Sequence, residues 1–399
     1  MDELHLHIIA FDIPYPPLYG GVIDVFYQIK SLSEAGVMIH LHAFEYGKGQ
    51  RADELEKLCY SVHYYSRRMG LMASVSGKPY ITKSRKSNLM MAELIKDNYP
   101  ILFEGLHTCY HINDKRLNGR LKLFRATNIE HHYYGNLALA ERNIFRKIYY
   151  TKASIKLWFY QHILQNADII LAVSNPDAIY FQKKFPEKKV VTLPCFHANK
   201  LVSHELNDGK YVLFHGNLEV AENERAAVFL MRKVMNNIDY PFVIAGNSPS
   251  ARLHSIANQY PNVKIIAAPD ETAMVKIIRE ARINLLITFQ ATGLKLKLLN
   301  ALYNGGIILA NSRMLHGTGL EELCYIADTA EEIKNQVQLL IQTEFNSTER
   351  NKKRSILLER YDNIRNAIML VELVKNKDSV LGQHNVSDYF PHCLTTEPK

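Results

Sequence analysis

Apolar positions in this chain recur with two periods that alternate along its length. A mostly apolar run at 5–13 (HLHIIAFDI) stops at PYPPLYGG (14–21), and the stretch at 22–36 then repeats its apolar residues at helical spacing up to Gly36. A second strand-like run, MIHLHAFEY, follows at 38–46. Strand, helix and strand joined by one crossover predict a parallel βαβ unit. Further strands are predicted at 61–66, 100–105, 121–127 and 167–174, with helix-length segments between several of them. The alternation restarts after a polar, unpatterned stretch at 193–210. Strands at 211–217, 242–246, 263–268, 283–289 and 306–311 then alternate with helices at 221–235, near 251–259, at 270–281 and at 295–305. Two such series predict an α/β chain of two doubly wound, Rossmann-like domains facing a central cleft. The expected division is a first domain at 1–195, a linker at 196–209 and a second domain at 210–355. A helix at 356–376 then packs back toward the first domain, and 377–399 form a flexible tail.

Composition narrows the class. With 399 residues, 47% of them hydrophobic, and only 19 Gly and 14 Pro, collagen-like and disordered chains are excluded. The opening MDELHLHIIAFDIP carries acids where a secretory signal needs bases, and no run reaches the roughly 18 apolar residues of a membrane span, so a cytoplasmic chain is expected. Five cysteines without CxxC or Cys/His ligand spacing predict reduced thiols and no metal site.

The net charge of +8 is unevenly placed. Residues 1–200 hold 26 Lys and Arg against 18 Asp and Glu, residues 201–399 hold 22 of each, and 51–200 alone hold 24 bases against 12 acids. That asymmetry points to an anionic partner for the first domain: nucleic acid, a phosphate-bearing substrate or a membrane surface. No groove-reading or single-strand motif accompanies the bases, so nucleic acid is not expected. The stretch RNIFRKIYYTKASIKLWFYQHIL (142–164) interleaves Arg142, Arg146, Lys147, Lys152 and Lys156 with large apolar residues. Such a helix is either a membrane-surface element, which would place the protein peripherally on the inner face of the plasma membrane, or a core helix with a solvated basic face. A second basic segment, KPYITKSRK (78–86), adds to the surface reading.

Two loops carry candidate chemistry. In ATGLKLKLLNALYNG (291–305) a Thr292-Gly293 turn follows an apolar strand and opens a helix, so the N–H groups of Leu294, Lys295 and the next residue are expected at the carboxyl ends of the strands. Lys295 and Lys297 add positive charge, and Gly293 lets backbone approach a phosphate. The competing reading is an ordinary capped amphipathic helix with solvated lysines. Gly20 and Gly21 stand at the equivalent place after the first strand, where a backbone nest can face a phosphate or sugar hydroxyl. Neither loop is a GxGxxG fingerprint, which disfavours nicotinamide and flavin.

Five segments in order carry a resemblance. PPLYGG (16–21), HGN (215–217), ENERA (222–226), VIAGN (243–247) and TGLKLKLLNALYNGGIILAN (292–311) together resemble retaining family 4 glycosyltransferases of the GT-B fold, over roughly residues 5–375. The resemblance implies a UDP- or GDP-sugar donor held by the second domain and a saccharide acceptor, lipid-linked in many relatives, held by the first. It implies that the donor diphosphate rests at Gly293 and Leu294, assisted by Lys295 and Lys297. Gly216 and Asn217 would lie by the sugar phosphate, Asn247 near the base or ribose, and Gly20 and Gly21 over the donor from the first domain. No metal or resident cofactor is implied. The chain also departs from the pattern. Thr292 and Asn300 replace a pair of glutamates, Asn217 and Glu222 replace an Arg and a Lys, and Thr127 replaces a His. Either His131, close to His132, serves in place of that His, or catalysis leans on electrostatics, or activity is impaired. A catalytically silent scaffold subunit of a glycan-assembly complex is the alternative to a transferase.

Overall fold

The computed structural model describes residues 3–45, 50–68, 77–141, 143–199, 209–289, 293, 295–343 and 347–376, the side chains of 347–351 and 354 excepted. The chain forms two units, residues 1–198 with 292–294 and 361–399, and residues 199–291 with 295–360.

The first unit is built on a seven-stranded sheet ordered β3-β2-β1-β4-β5-β6-β7. Its strands are β1 (His5–Ala10), β2 (Met38–Glu45), β3 (Ser61–Ser66), β4 (Ile101–Glu104), β5 (Lys122–Ala126), β6 (Ile169–Ala172) and β7 (Lys189–Thr192). Every ladder is parallel. β4, β5 and β6 are buried along their whole length, as strands covered on both faces must be. The crossovers include α1 (Gly20–Glu34), α2 (Glu130–Ala140), α3 (Ile144–Tyr160) and α4 (Asn175–Lys184). Arg125 at the centre of β5 is fully buried. It donates to Asp24 of α1 from Nη2 (2.9 Å) and Nε (3.1 Å), and to the carbonyls of Leu193 (3.2 Å) and Pro194 (3.1 Å). Part of the basic surplus is therefore internal, since Arg85, Arg120 and Lys122 are buried as well.

On one face of β1, β2 and β3 histidines stack across the strands. His7 Nδ1 meets His42 Nε2 at 2.8 Å, His5 Nδ1 meets His40 Nε2 at 3.0 Å, and the His42 and His63 rings lie 5.2 Å apart. Asp97, itself held by Arg120 Nη2 at 3.0 Å, accepts from His7 Nε2 at 3.0 Å, and Tyr65 OH pairs with His42 Nδ1 at 2.9 Å. Burial lowers His7 to about 4 despite the Asp97 carboxylate, and holds His42 well below the usual histidine range too. An unfolded histidine binds its proton near 6.5, so between 6.5 and about 4 the unfolded chain holds more protons and stability falls as pH falls. His7 alone accounts for about 3 kcal/mol over that window. The thermal midpoint is therefore expected to drop progressively from pH 6.5 to 4, and a flat midpoint in a scan over that range would contradict the buried ladder.

The second unit holds a six-stranded parallel sheet ordered β10-β9-β8-β11-β12-β13. Its strands are β8 (Val212–His215), β9 (Phe242–Gly246), β10 (Val263–Ala267), β11 (Ile283–Leu286), β12 (Ile307–Ala310) and β13 (Tyr325–Ile326), with α5 (Ala221–Lys233) and α6 (Leu296–Asn304) among its helices. β8 and β11 stop before the predicted ends at 217 and 289, which releases residues 216–217 and 287–289 as loops. Lys353 donates to the carbonyls of Gly305 and Gly306, both at 3.0 Å, and so closes the C-terminal end of α6.

The helix predicted at 356–376 is broken. One helix ends at Arg360, and α7 (Asn363–Lys375) starts anew because Asp362 accepts from the N–H groups of Ile364 (2.7 Å) and Arg365 (3.0 Å) as an N-cap. The division between the units accordingly falls at 360/361 rather than 355/356. α7 buries Ala367, Leu370, Val371 and Val374 in the same core as Val22, Val25 and Ile29 of α1. Cys59, Cys109, Cys195 and Cys324 are free thiols, the middle two buried. Cys393, the tail from 377 and most of the predicted linker (200–208) lie outside the described residues.

Candidate active site

Both sheets have a point where the strand order reverses, and ligands of open α/β sheets bind beyond the carboxyl ends there. In the second unit that point lies between β8 and β11. Gly246 packs against it so closely that a Cβ would come 1.8 Å from the Gly216 carbonyl oxygen, and a Cβ on Gly216 would come 3.3 Å from Asn223 Cγ. Asn217 turns the chain into α5: its Oδ1 accepts from Glu219 N (3.1 Å) and its carbonyl from Asn223 Nδ2 (2.9 Å). The Asn247 carbonyl accepts from Leu218 N at 3.0 Å, fixing the same turn from β9.

Lys297, in the first turn of α6, enters this crevice. Its Nζ donates to Asn223 Oδ1 (3.1 Å) and the Ile287 carbonyl (3.4 Å), and stands 5.4 Å from the centre of the Phe214 ring. Burial lowers its pKa to about 8, with the Glu222 carboxylate acting in the opposite direction. Glu222 in turn accepts from Phe289 N (2.8 Å) and the Thr288 hydroxyl. His215 beneath them is buried, lowered to about 3 and hence neutral, and its Nε2 has no partner among the described residues. A helix start carrying a shielded ammonium, beside a glycine turn, is a site for an anion such as a diphosphate.

The helix begins within one residue of where the sequence places it. Gly293 sits at φ +84, a left-handed conformation that cannot continue into a helix, and Lys295 is the N-cap of α6. The carbonyl of Lys295 accepts from Leu298 and Leu299, so the N–H groups of Lys295, Leu296 and Lys297 belong to the helix mouth. Thr292 and Leu294 lie outside the described residues. Asn300 is engaged: its Oδ1 accepts from Asn199 Nδ2 at 2.8 Å.

In the first unit the reversal lies between β1 and β4. Phe11 and Asp12 follow β1, while Gly105 (φ +68) and His107 follow β4. Gly20 and Gly21 form the first turn of α1, and a Cβ on Gly21 would come 2.7 Å from Phe11 Cζ, so a larger residue there would have to displace the Phe11 ring. Tyr19 OH donates to Asp12 Oδ2 at 2.6 Å. His107 Nδ1 lies 3.9 Å from Glu130 Oε1, and about a fifth of its side chain (21%) reaches solvent. Burial, then Arg85 and Arg67, push His107 well below 6.5, while burial raises Glu130 to about 8. A neutral imidazole thus faces a carboxyl that is largely protonated near neutrality, the arrangement of a hydrogen-bonding pair for a sugar or its hydroxyls.

This pair was missed from sequence. The signal present was the position of His107, two residues beyond the glycine that ends a predicted strand. His131, the residue singled out instead, lies in α2. Its Nδ1 is 3.5 Å from Gln161 Nε2, its ring is 4.2 Å from His132 and 5.8 Å from Tyr180, and burial lowers it to about 4. Among the described residues no group of three or more His, Cys, Asp and Glu has the geometry to hold a metal ion.

The two parallel sheets of seven and six strands, each with its crevice, make up the GT-B fold of the nucleotide-sugar glycosyltransferases. A glycosyltransferase from Rickettsia africae matches with a TM-score of 0.63 at 12% identity, over 95% of this chain and 100% of that one. TarM matches with 0.64 at 11%, over 93% and 98%. HepE from Anabaena, solved with UDP and glucose, matches with 0.63 at 10%, over 93% and 99%. In sequence, the chain is 27% identical over 337 residues to a 44.6 kDa protein in the cps region of Klebsiella pneumoniae, described as uncharacterized, covering 78% of this chain and 84% of that protein. No protein-family model matches.

Proposed function

We propose that the protein transfers a sugar from a UDP- or GDP-linked donor to a saccharide acceptor, lipid-linked, with retention of configuration and without a metal or resident cofactor. The observation that carries this reading is Lys297, partly buried at a helix start in the second-unit crevice that Gly216 also lines. A diphosphate leaving group needs its developing negative charge stabilised, and an ammonium with oriented N–H groups can supply this. In this reaction the bond from the anomeric carbon to the donor phosphate oxygen breaks, the acceptor oxygen bonds to that carbon on the same face, and the acceptor proton passes to the departing phosphate. In the first unit, His107 and Glu130 would hydrogen-bond hydroxyls of the saccharide acceptor, and Gly20 and Gly21 would admit it. The place of the Klebsiella relative in a cps region supports polysaccharide synthesis as the setting.

One observation favours a second reading, a silent GT-B scaffold: Glu222 sets a carboxylate against the Lys297 charge, and Asn300 is committed to Asn199. Incubating the purified chain with UDP- and GDP-sugars and a polyprenyl-linked saccharide separates the two. Release of nucleoside diphosphate with a product of unchanged anomeric configuration is expected. An inverted product would remove the retaining mechanism, and nucleotide binding without turnover would establish the scaffold.

A further inference from the structure

Helix α3 buries only Leu157 and Tyr160. Ile144, Ile148, Ile155 and Phe159 fall in one line along it, at spacings of four, seven and four, with Phe145 and Trp158 to either side. Helices of globular proteins turn such a stripe toward the core. Here it faces solvent, with these six side chains between 45% and 79% exposed. The inward side carries smaller groups, among them Ser154, whose hydroxyl donates to the His131 carbonyl at 2.7 Å. Leu139 near the end of α2 adds a further exposed apolar residue.

The charge on this helix has one sign. Arg146, Lys147, Lys152 and Lys156 accompany the stripe, and α3 contains no Asp or Glu. Lys184 of α4 brings Nζ to 5.3 Å from the Trp158 ring. A second copy of the chain facing this stripe would set these cations against their own kind. A surface that is anionic outside and apolar just beneath accommodates both features. No helix among the described residues is long and apolar enough to cross a membrane, so the contact is one of lying in the surface.

We infer that α3 is a docking helix for an anionic phospholipid bilayer, its Ile144–Ile148–Ile155–Phe159 stripe set below the headgroups and its lysines among the phosphates. The inference goes beyond sugar transfer and stands or falls separately from it, since its readout involves no nucleotide or saccharide. It takes up the membrane-surface reading of 142–164, because the face left to solvent is the apolar one.

Trp158 is the only tryptophan in the chain and lies on this face, so the unmodified protein reports on itself. Vesicles of phosphatidylcholine with phosphatidylglycerol at about one lipid in three are expected to shift its emission to shorter wavelength, and brominated acyl chains to quench it. Partitioning into pure phosphatidylcholine is expected to be about tenfold weaker or more, because the lysines contribute only against anionic headgroups. The triple change Phe145→Ser, Ile155→Ser, Phe159→Ser removes exposed side chains, so it should abolish vesicle binding with an unchanged thermal midpoint. Lys147→Glu with Lys152→Glu should weaken binding to the anionic vesicles by about tenfold or more. Unshifted emission with anionic vesicles would overturn the inference. So would equal binding to neutral and anionic vesicles, or a dimer in sedimentation velocity that the triple change dissolves.

Discussion

Lys297→Met is expected to lower sugar transfer about 100-fold or more while leaving the thermal midpoint unchanged or raised. The loss follows from the task of the ammonium: removing one preorganised stabiliser of developing negative charge costs about 100- to 1,000-fold in turnover. The stability effect has the opposite sign. Lys297 holds its proton only up to about 8, against 10.5 for a free side chain, so between those values the unfolded chain binds the proton and the folded one does not. Stability is therefore lost as pH falls from 10.5 to about 8, and at neutrality the charged amine is a burden on the fold. Glu222 keeps its bonds to Phe289 N and the Thr288 hydroxyl after the change, so no carboxylate is stranded. Steady-state turnover beside a thermal melt checks both halves, and turnover within threefold of the parent would remove Lys297 from the reaction.

Arg125→Met is expected to be the most damaging single change to folding, by about 3–5 kcal/mol. It leaves Asp24 fully buried with the Phe196 N–H at 2.7 Å as its remaining donor among the described residues, and it unties the 193–194 carbonyls from β5. That is a large part of the roughly 5–15 kcal/mol that holds a typical domain folded. The control lies next to it. Glu104, also fully buried and 4.0 Å from Arg125, is raised to about 8 by burial and is protonated at neutrality, so Glu104→Gln replaces one neutral group by another. Its cost should stay near 1 kcal/mol. Urea unfolding of the three proteins gives the comparison, and equal losses for the two variants would show that the Arg125–Asp24 pair is not what the core depends on.

What could be read from the sequence was what depends on neighbours along the chain. The alternation of strand and helix, the glycine turns at 20–21 and 216, and a lysine at the mouth of the helix after β11 are all local patterns. What escaped was assembled from distant segments. The partner of Arg125 is 101 residues away in sequence, so counting charge could not show that this base is internal. His107 owes its character to Phe11, Arg85 and Glu130, which three separate elements deliver. The break at 361–362 was hidden because apolar periodicity runs through it, although Asp362 is a residue type that caps helices. The composition of 142–164 allowed an apolar stripe facing either way, and only the placement of Leu157 and Tyr160 against the rest of the first unit decides it.

The most direct measurement of the central claim is calorimetric titration of UDP and of GDP into the full chain, at about pH 7 and about pH 9. One of the two is expected to bind at the lower pH and to bind several-fold more weakly at the higher, because Lys297 loses its proton around 8. Absence of binding by either nucleotide, or an affinity that does not change between the two conditions, would contradict a diphosphate site built on Lys297.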